Sequence, residues 1–310
     1  MRLPDFLWRP RRPAPTADSA AAAREVRRLE LKSRRFMDNP ALGPYPSLFR
    51  GHGIEFSEVR EYQPGDPFQA IDWKVTARMR RPYVKRFVEE RELAVLLVVD
   101  VSASNDFGTR RSLKRDLVAE VASTLALAAM RAGDPVGMLL FSDRIERYAR
   151  PARGRNRNLR LLHELVSVRP EGKGTDVDLA LATAARMLTV RSLVFVISDF
   201  VGAGNLARPL LGLSGRHDVV ALAVDDPAEA TIPASGWVEV VDPETGDRAV
   251  VDLGDAAVRE RLMEHSTTGA RALERLCAHC HVDLMRLRTD TPYESRLSGF
   301  FAARGRRRLR

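Results

Sequence analysis

The chain has 310 residues, 45% of them hydrophobic, enough for one large α/β domain with additions or two small domains. Two cysteines exclude a disulfide framework, and no apolar run approaches the ~18–20 residues of a membrane span. The net charge is +9, but five of the 50 basic residues are lysines and the other 45 arginines, a bias spread along the chain rather than gathered in one patch. The ends are locally denser, with "RPRRP" (9–13), "REVRRLELKSRR" (24–35) and "RGRRRLR" (304–310), runs that suit nucleic acid or an acidic membrane surface. The start, "MRLPDFLWRPRRP", lacks the apolar core of a signal peptide, so the expected location is cytoplasmic.

In chain order, residues 1–38 read as a mobile tail with a helix over 23–38. Residues 39–92 mix turns with short alternating segments; "QPGDP" (63–67) is a turn, and "YVKRFVEE" (83–90) alternates as a half-buried strand. From Leu93 the chain becomes regular. The expected strands are 93–100, 134–143, 192–200, 217–226 and 281–287. The expected helices are 111–133, 156–168, 177–189, 205–214 and 255–280, with a return strand at 144–151 and a hairpin at 236–253. Short apolar strands alternating with helices imply a mostly parallel sheet covered on both faces. Residues 93–288 are the expected main domain, and 289–310 a basic C-terminal tail.

In such a sheet, ligands gather at the carboxyl ends of the strands. Three strand-adjacent loops carry unusual polar content. In Asp100-x-Ser102-x-Ser104, positions two apart face one side of an extended segment, so a carboxylate and two hydroxyls converge. Thr175 follows the Gly172-Lys173-Gly174 turn, and Asp199 ends another strand. Two carboxylates and three hydroxyls make an all-oxygen set suited to Mg2+ or Mn2+. The competing structural reading is that these groups cap the following helices and loops.

The five residues resemble the metal-ion-dependent adhesion site of von Willebrand factor A domains, over about Leu93 to Leu287. That resemblance implies a Rossmann-like α/β fold with one cation held by Asp100, Ser102, Ser104, Thr175 and Asp199, the serines and threonine touching the metal directly. The preceding segment resembles the signature of the MoxR-associated bacterial family known as domain of unknown function fifty-eight. The matching residues are Gly51, Gly53, Glu55, Phe56, Arg60, Tyr62, Pro64, Gly65, Asp66, Ile71, Asp72, Trp73, Ala77 and Arg78. Pro67 and Gln69 stand where that family usually has an acid and an arginine, and "DPETG" (242–246) also matches. The resemblance implies an adaptor or chaperone-like partner of a MoxR-type AAA+ ATPase, binding a client protein, with no catalytic activity. Arg60, Tyr62, Gly65, Asp66, Asp72 and Trp73 are the expected partner-binding residues.

"CAHCH" (277–281) matches a haem-attachment pattern, but five residues match easily by chance, and buried free cysteines are expected instead of haem. Trp73 is expected to pack the signature segment onto the sheet. The aromatic residues around it (Phe56, Tyr62, Phe68, Tyr83 and Phe87) call for the same cover. Two other functions stay open: a nucleic-acid-associated basic protein, and a metal-dependent hydrolase.

Overall fold

In a computed structural model, residues 17–38, 55–88, 93–108, 112–202, 204–230, 236–242 and 244–308 are described. The elements run α1 (Ala17–Met37), β1 (Glu55–Glu61), α2 (Trp73–Met79), β2 (Tyr83–Val88), β3 (Ala94–Asp100), α3 (Lys114–Ala132), β4 (Val136–Phe141) and β5 (Ile145–Ala152). They continue α4 (Arg155–Ser167), α5 (Val177–Met187), β6 (Ser192–Ser198), α6 (Ala207–Ser214), β7 (Asp218–Asp225) and α7 (Pro227–Ala230). The last are β8 (Trp237–Val241), β9 (Arg248–Asp252), α8 (Ala256–His279), β10 (Asp283–Arg288) and α9 (Tyr293–Arg308).

The fold is α/β, with a six-stranded sheet in the order β10-β7-β6-β3-β4-β5. Every neighbouring pair in it is parallel except β4–β5, which is the expected antiparallel return. The period of two along β3 sorts its side chains to opposite faces. Val95, Leu97 and Val99 join one cluster with α3, α4 and α9, capped by Val26 of α1. Leu96 and Val98 join the other, with α5, α6 and the end of α8. Both faces are therefore covered, which explains why β3 and β6 are apolar along nearly their whole length.

β3 is the strand on which the topology turns. The chain leaves it through α3 to β4 on one side, while β6 lies on the other. The carboxyl ends of β3 and β6 thus flank the crevice where an open α/β sheet places its ligand.

Within the expected basic tail, Tyr293–Arg308 form a docked helix, α9. Tyr293, Leu297, Phe301 and Arg304 fall on one stripe of α9 and are buried. Phe301 meets Phe195 of β6 edge-on, with centroids 6.3 Å apart, and Arg304 pairs with Asp218 and with Asp283 at 3.0 Å. α1 begins before the expected residue 23 and lies against α3 and α4. Hydroxyls of Ser33, Thr124 and Tyr293 form a buried chain at 3.0 and 3.1 Å that ties α1, α3 and α9 together.

Tyr83–Val88 of the 83–90 run pairs with β1 in a separate two-stranded sheet rather than with the main sheet; residues 89–92 lie outside those described. Trp73 is 62% exposed and Phe68 70%, the two rings touching at 6.1 Å, so the expectation of a packed tryptophan is corrected. The reason is local. Asp72 turns inward and caps α2 by accepting from the Lys74 and Val75 amides, which leaves Trp73, one residue on, facing outward. Phe56 and Phe87 occupy paired register positions, and their side chains lie outside what is described. Cys277 and Cys280 are free, buried thiols, and burial pushes Cys277 up to about 11. No described helix is long and apolar enough to cross a membrane.

Candidate functional site

β3 ends in a buried carboxylate. Asp100 Oδ1 accepts from the Ser102 amide at 2.9 Å and the Ser102 hydroxyl at 2.6 Å. Ser102 Oγ lies 3.0 Å from Ser104 Oγ, so the expected convergence of these three residues is present. Oδ2 accepts from the Ser198 hydroxyl at 2.6 Å, across from β6. Burial first, and the charge of Asp199 second, push the Asp100 carboxyl up to about 6, against the pull of its hydroxyl partners.

Asp199 follows at the end of β6, held by its own turn. Its Oδ1 accepts from the Val201 amide at 3.1 Å, and Phe200 adopts φ 56° with its amide on Ser198 Oγ. Its Oδ2 takes the ammonium of Lys114 at 2.9 Å. Lys114 stands at the start of α3 and reaches Glu229 of α7 at 2.5 Å as well. Burial opposes its charge, but the two carboxylates more than offset that, and its pKa is held above the ordinary lysine value.

Thr175 comes to the same rim by a separate route. Asp100 pairs in register with Phe141 of β4; the next residue, Ser142, gives its carbonyl to the Asp176 amide at 2.9 Å. Thr175 is therefore fixed one strand over from Asp100, on strands spaced about 4.8 Å apart. Its hydroxyl donates to Glu244 of the β8–β9 hairpin and makes no described bond to Asp100 or the serines. The loop before it is clamped by Glu146, whose Oε1 accepts from the Ser142 hydroxyl at 2.6 Å and from the Glu171 and Gly172 amides, each at 2.9 Å. Burial works against that carboxylate's charge, yet these donors hold it below the usual range.

Gly172 has no room for a side chain: a Cβ there would collide with Ser142 Oγ and Asp143 Oδ1. Gly172→Ala is therefore expected to displace the Thr175 loop and cost about 1–3 kcal/mol, the usual penalty for overpacking. A thermal melt within a degree of the parent would refute this.

The signature segment sorts differently. Arg60 grips Asp66 with two bonds of 2.8 and 2.6 Å, and Asp66 also accepts from the Gln63 amide. Gly65 takes φ +111°, a conformation suited to glycine. The Tyr62 amide bonds the Pro82 carbonyl at 2.8 Å. Arg60, Tyr62, Gly65, Asp66 and Asp72 thus build the turn and its helix, and Trp73 is the member that faces solvent.

Lys114, Ser198, Glu229 and Glu146 are not among the residues singled out from the sequence, and Glu244 falls in the "DPETG" match without a role of its own. Lys114 carried one faint signal, a lysine in a chain that otherwise uses arginine. Ser198 sits beside Asp199 on the same strand end.

The family model described as "Protein of unknown function DUF58" matches residues 58–272, more than half of the chain. This chain belongs to the DUF58 family. Uncharacterized protein Mb1516 of Mycobacterium bovis and Rv1480 of Mycobacterium tuberculosis are each 33% identical to it over 291 residues, 93% of this chain and 92% of theirs. YeaD of Bacillus subtilis is 33% identical over 75 residues, 24% of this chain and 19% of its own. Among solved structures, a conserved hypothetical protein BatB from Bacteroides thetaiotaomicron aligns with a TM-score of 0.44 at 14% identity. An aerotolerance-related membrane protein from Bacteroides fragilis aligns at 0.48 and 18%. Each alignment covers 69% of this DUF58 chain and 99% of the other.

The donor set of this DUF58 site fits a hard cation. Three carboxyl groups, Asp100, Asp199 and Glu229, stand against the single ammonium of Lys114, which bonds Asp199 and Glu229. The Ser102 hydroxyl donates to Asp100 and so accepts from Ser104, which leaves one lone pair on its oxygen. Among the described residues no three or more His, Cys, Asp or Glu side chains cluster as a metal group; the set draws on hydroxyls beside its carboxylates.

Proposed function

We propose that this DUF58 protein is a non-enzymatic, metal-dependent protein-interaction module of the von Willebrand factor A type. In this reading it acts in the cytoplasm as an adaptor or co-chaperone partner of a MoxR-type AAA+ ATPase. The observation that carries the reading is the convergence of Asp100, Ser102 and Ser104 at the end of β3, joined to Ser198 and beside Asp199 at the end of β6.

Asp100, Ser102, Ser104 and Asp199 would hold Mg2+ or Mn2+, with Thr175 on the neighbouring rim. The bound ion supplies positive charge for an oxygen anion, so an Asp or Glu side chain of the partner is the natural ligand. The chain's own part is to hold these oxygens in place: Ser198 and the Ser102 amide fix Asp100, Lys114 fixes Asp199, and Glu146 fixes the Thr175 loop. The described partners of the site's hydroxyls are carboxylates, an amide and one another. Trp73, exposed on a segment whose Lys74, Arg78, Arg80 and Arg81 are exposed as well, offers a second surface for the ATPase.

The test is capture of a MoxR-type AAA+ ATPase from the same organism, with and without EDTA and with Asp100→Ala. Capture lost in both supports the reading; capture unchanged in both rejects metal-mediated recognition.

A further inference from the structure

The β8–β9 hairpin is built to deliver one side chain. Its strands pair from Trp237↔Asp252 to Val241↔Arg248, and most of their residues are exposed, Trp237 at 73%. The tip is fixed by its own bonds. Asp242 Oδ1 accepts from the Glu244 amide at 2.8 Å and the Thr245 amide at 3.3 Å, and the Gly246 amide bonds the Asp242 carbonyl at 2.8 Å. The Asp247 amide adds a bond to Thr245 Oγ1 at 3.1 Å, and Gly246 takes φ +78°. Among the described residues of the tip, Glu244 is the half-buried one.

Its carboxylate is held through one oxygen. Oε1 accepts from the Thr175 hydroxyl at 2.5 Å, and Oε2 lies over Gly174, 3.5 Å from where a Cβ would stand. Among the described residues, no lysine or arginine is paired with Glu244, and its hydrogen-bonded side-chain partner is a neutral hydroxyl. A carboxylate whose described side-chain partner is a neutral hydroxyl keeps oxygen lone pairs that a cation among the neighbouring oxygens could use.

We propose that Glu244 is a tethered internal ligand of the strand-end site: it lies where a partner's carboxylate would bind, and an acidic partner side chain engages the site by displacing it. This rests on the metal-site reading above and adds to it a built-in competitor. The hairpin then sets the threshold for binding. Its tip is ordered in advance, so its carboxylate has a high effective concentration at Thr175, and only a ligand anchored elsewhere as well displaces it. Isolated carboxylates are excluded and multipoint partners are admitted.

The test uses Mn2+ as the ion and 13C-acetate as the carboxylate probe, with the full chain in excess over Mn2+. Mn2+ uptake is followed separately, by loss of the free-ion EPR signal. In the parent protein acetate should be broadened little. In Glu244→Ala, and in Glu244→Asp, whose side chain is one methylene too short to reach Thr175, broadening should rise several-fold while Mn2+ uptake persists. Equal broadening in all three with Mn2+ bound would overturn the internal-ligand role and leave the metal site standing. Loss of Mn2+ uptake in Glu244→Ala would make Glu244 a permanent ligand and overturn the exchange. Absence of Mn2+ uptake in the parent would overturn both. Glu244 sits at a hairpin tip, so all three proteins should melt at the same temperature, which separates these outcomes from misfolding.

Discussion

Lys114→Met should lower stability by about 3–5 kcal/mol, the usual cost of removing one partner from a buried ion pair. The side chains of Lys114 and Asp199 are each 2% exposed, and their atoms lie 2.9 Å apart. Methionine fills a similar volume but leaves the Asp199 carboxylate buried without its counter-charge. Glu229, at 32% exposure, retains access to water and adds less. Urea denaturation should show a lower midpoint at unchanged slope. Adding Asp199→Asn should recover much of the loss, because the stranded charge is then also gone. A loss below about 1 kcal/mol for Lys114→Met, on the scale of an exposed pair, would mean that this ammonium is not the buried counter-ion of the site.

Phe301→Ala should cost about 3–5 kcal/mol, and Leu297→Ala about 2–5 kcal/mol, the range for emptying a well-packed core position. Both side chains belong to the cluster that covers one face of the sheet, against Phe195 and Leu287. The same substitutions in a solvated tail would leave stability within about 0.5 kcal/mol. Denaturant titration of either variant decides between a docked helix and a tail.

α9 shows what was legible and what was overlooked. Its charge is high, and "RGRRRLR" draws the eye to the surface. Yet Tyr293, Leu297, Phe301 and Arg304 recur at intervals of four, four and three, the spacing of one helical face. Periodicity held the answer, and composition hid it. The strands of the main sheet were easier, because continuous branched aliphatics such as Val95–Val99 have few alternatives to a strand covered on both faces. The hairpin at 236–253 was legible from its turn residues.

At the site, the local part was readable and the non-local part was not. Asp100, Ser102 and Ser104 lie within five residues, so the period of an extended chain is enough to bring them together. Lys114 meets Asp199 across 85 residues and Thr175 meets Glu244 across 69, separations no local rule spans. Trp73 was misjudged for a different reason. Burial is the average fate of tryptophan, but the inward cap of Asp72 determines which way this one faces.

The central claim is that the carboxyl ends of β3 and β6 form a cation site organised by Asp100. Titration of the full chain with Mn2+, read by the disappearance of the free-ion EPR signal, tests it most directly. The account predicts uptake of one ion by the parent protein, competition by Mg2+, and loss of that uptake in Asp100→Ala with the fold retained by circular dichroism. Identical titrations for the parent and Asp100→Ala, or no uptake by the parent, would contradict it.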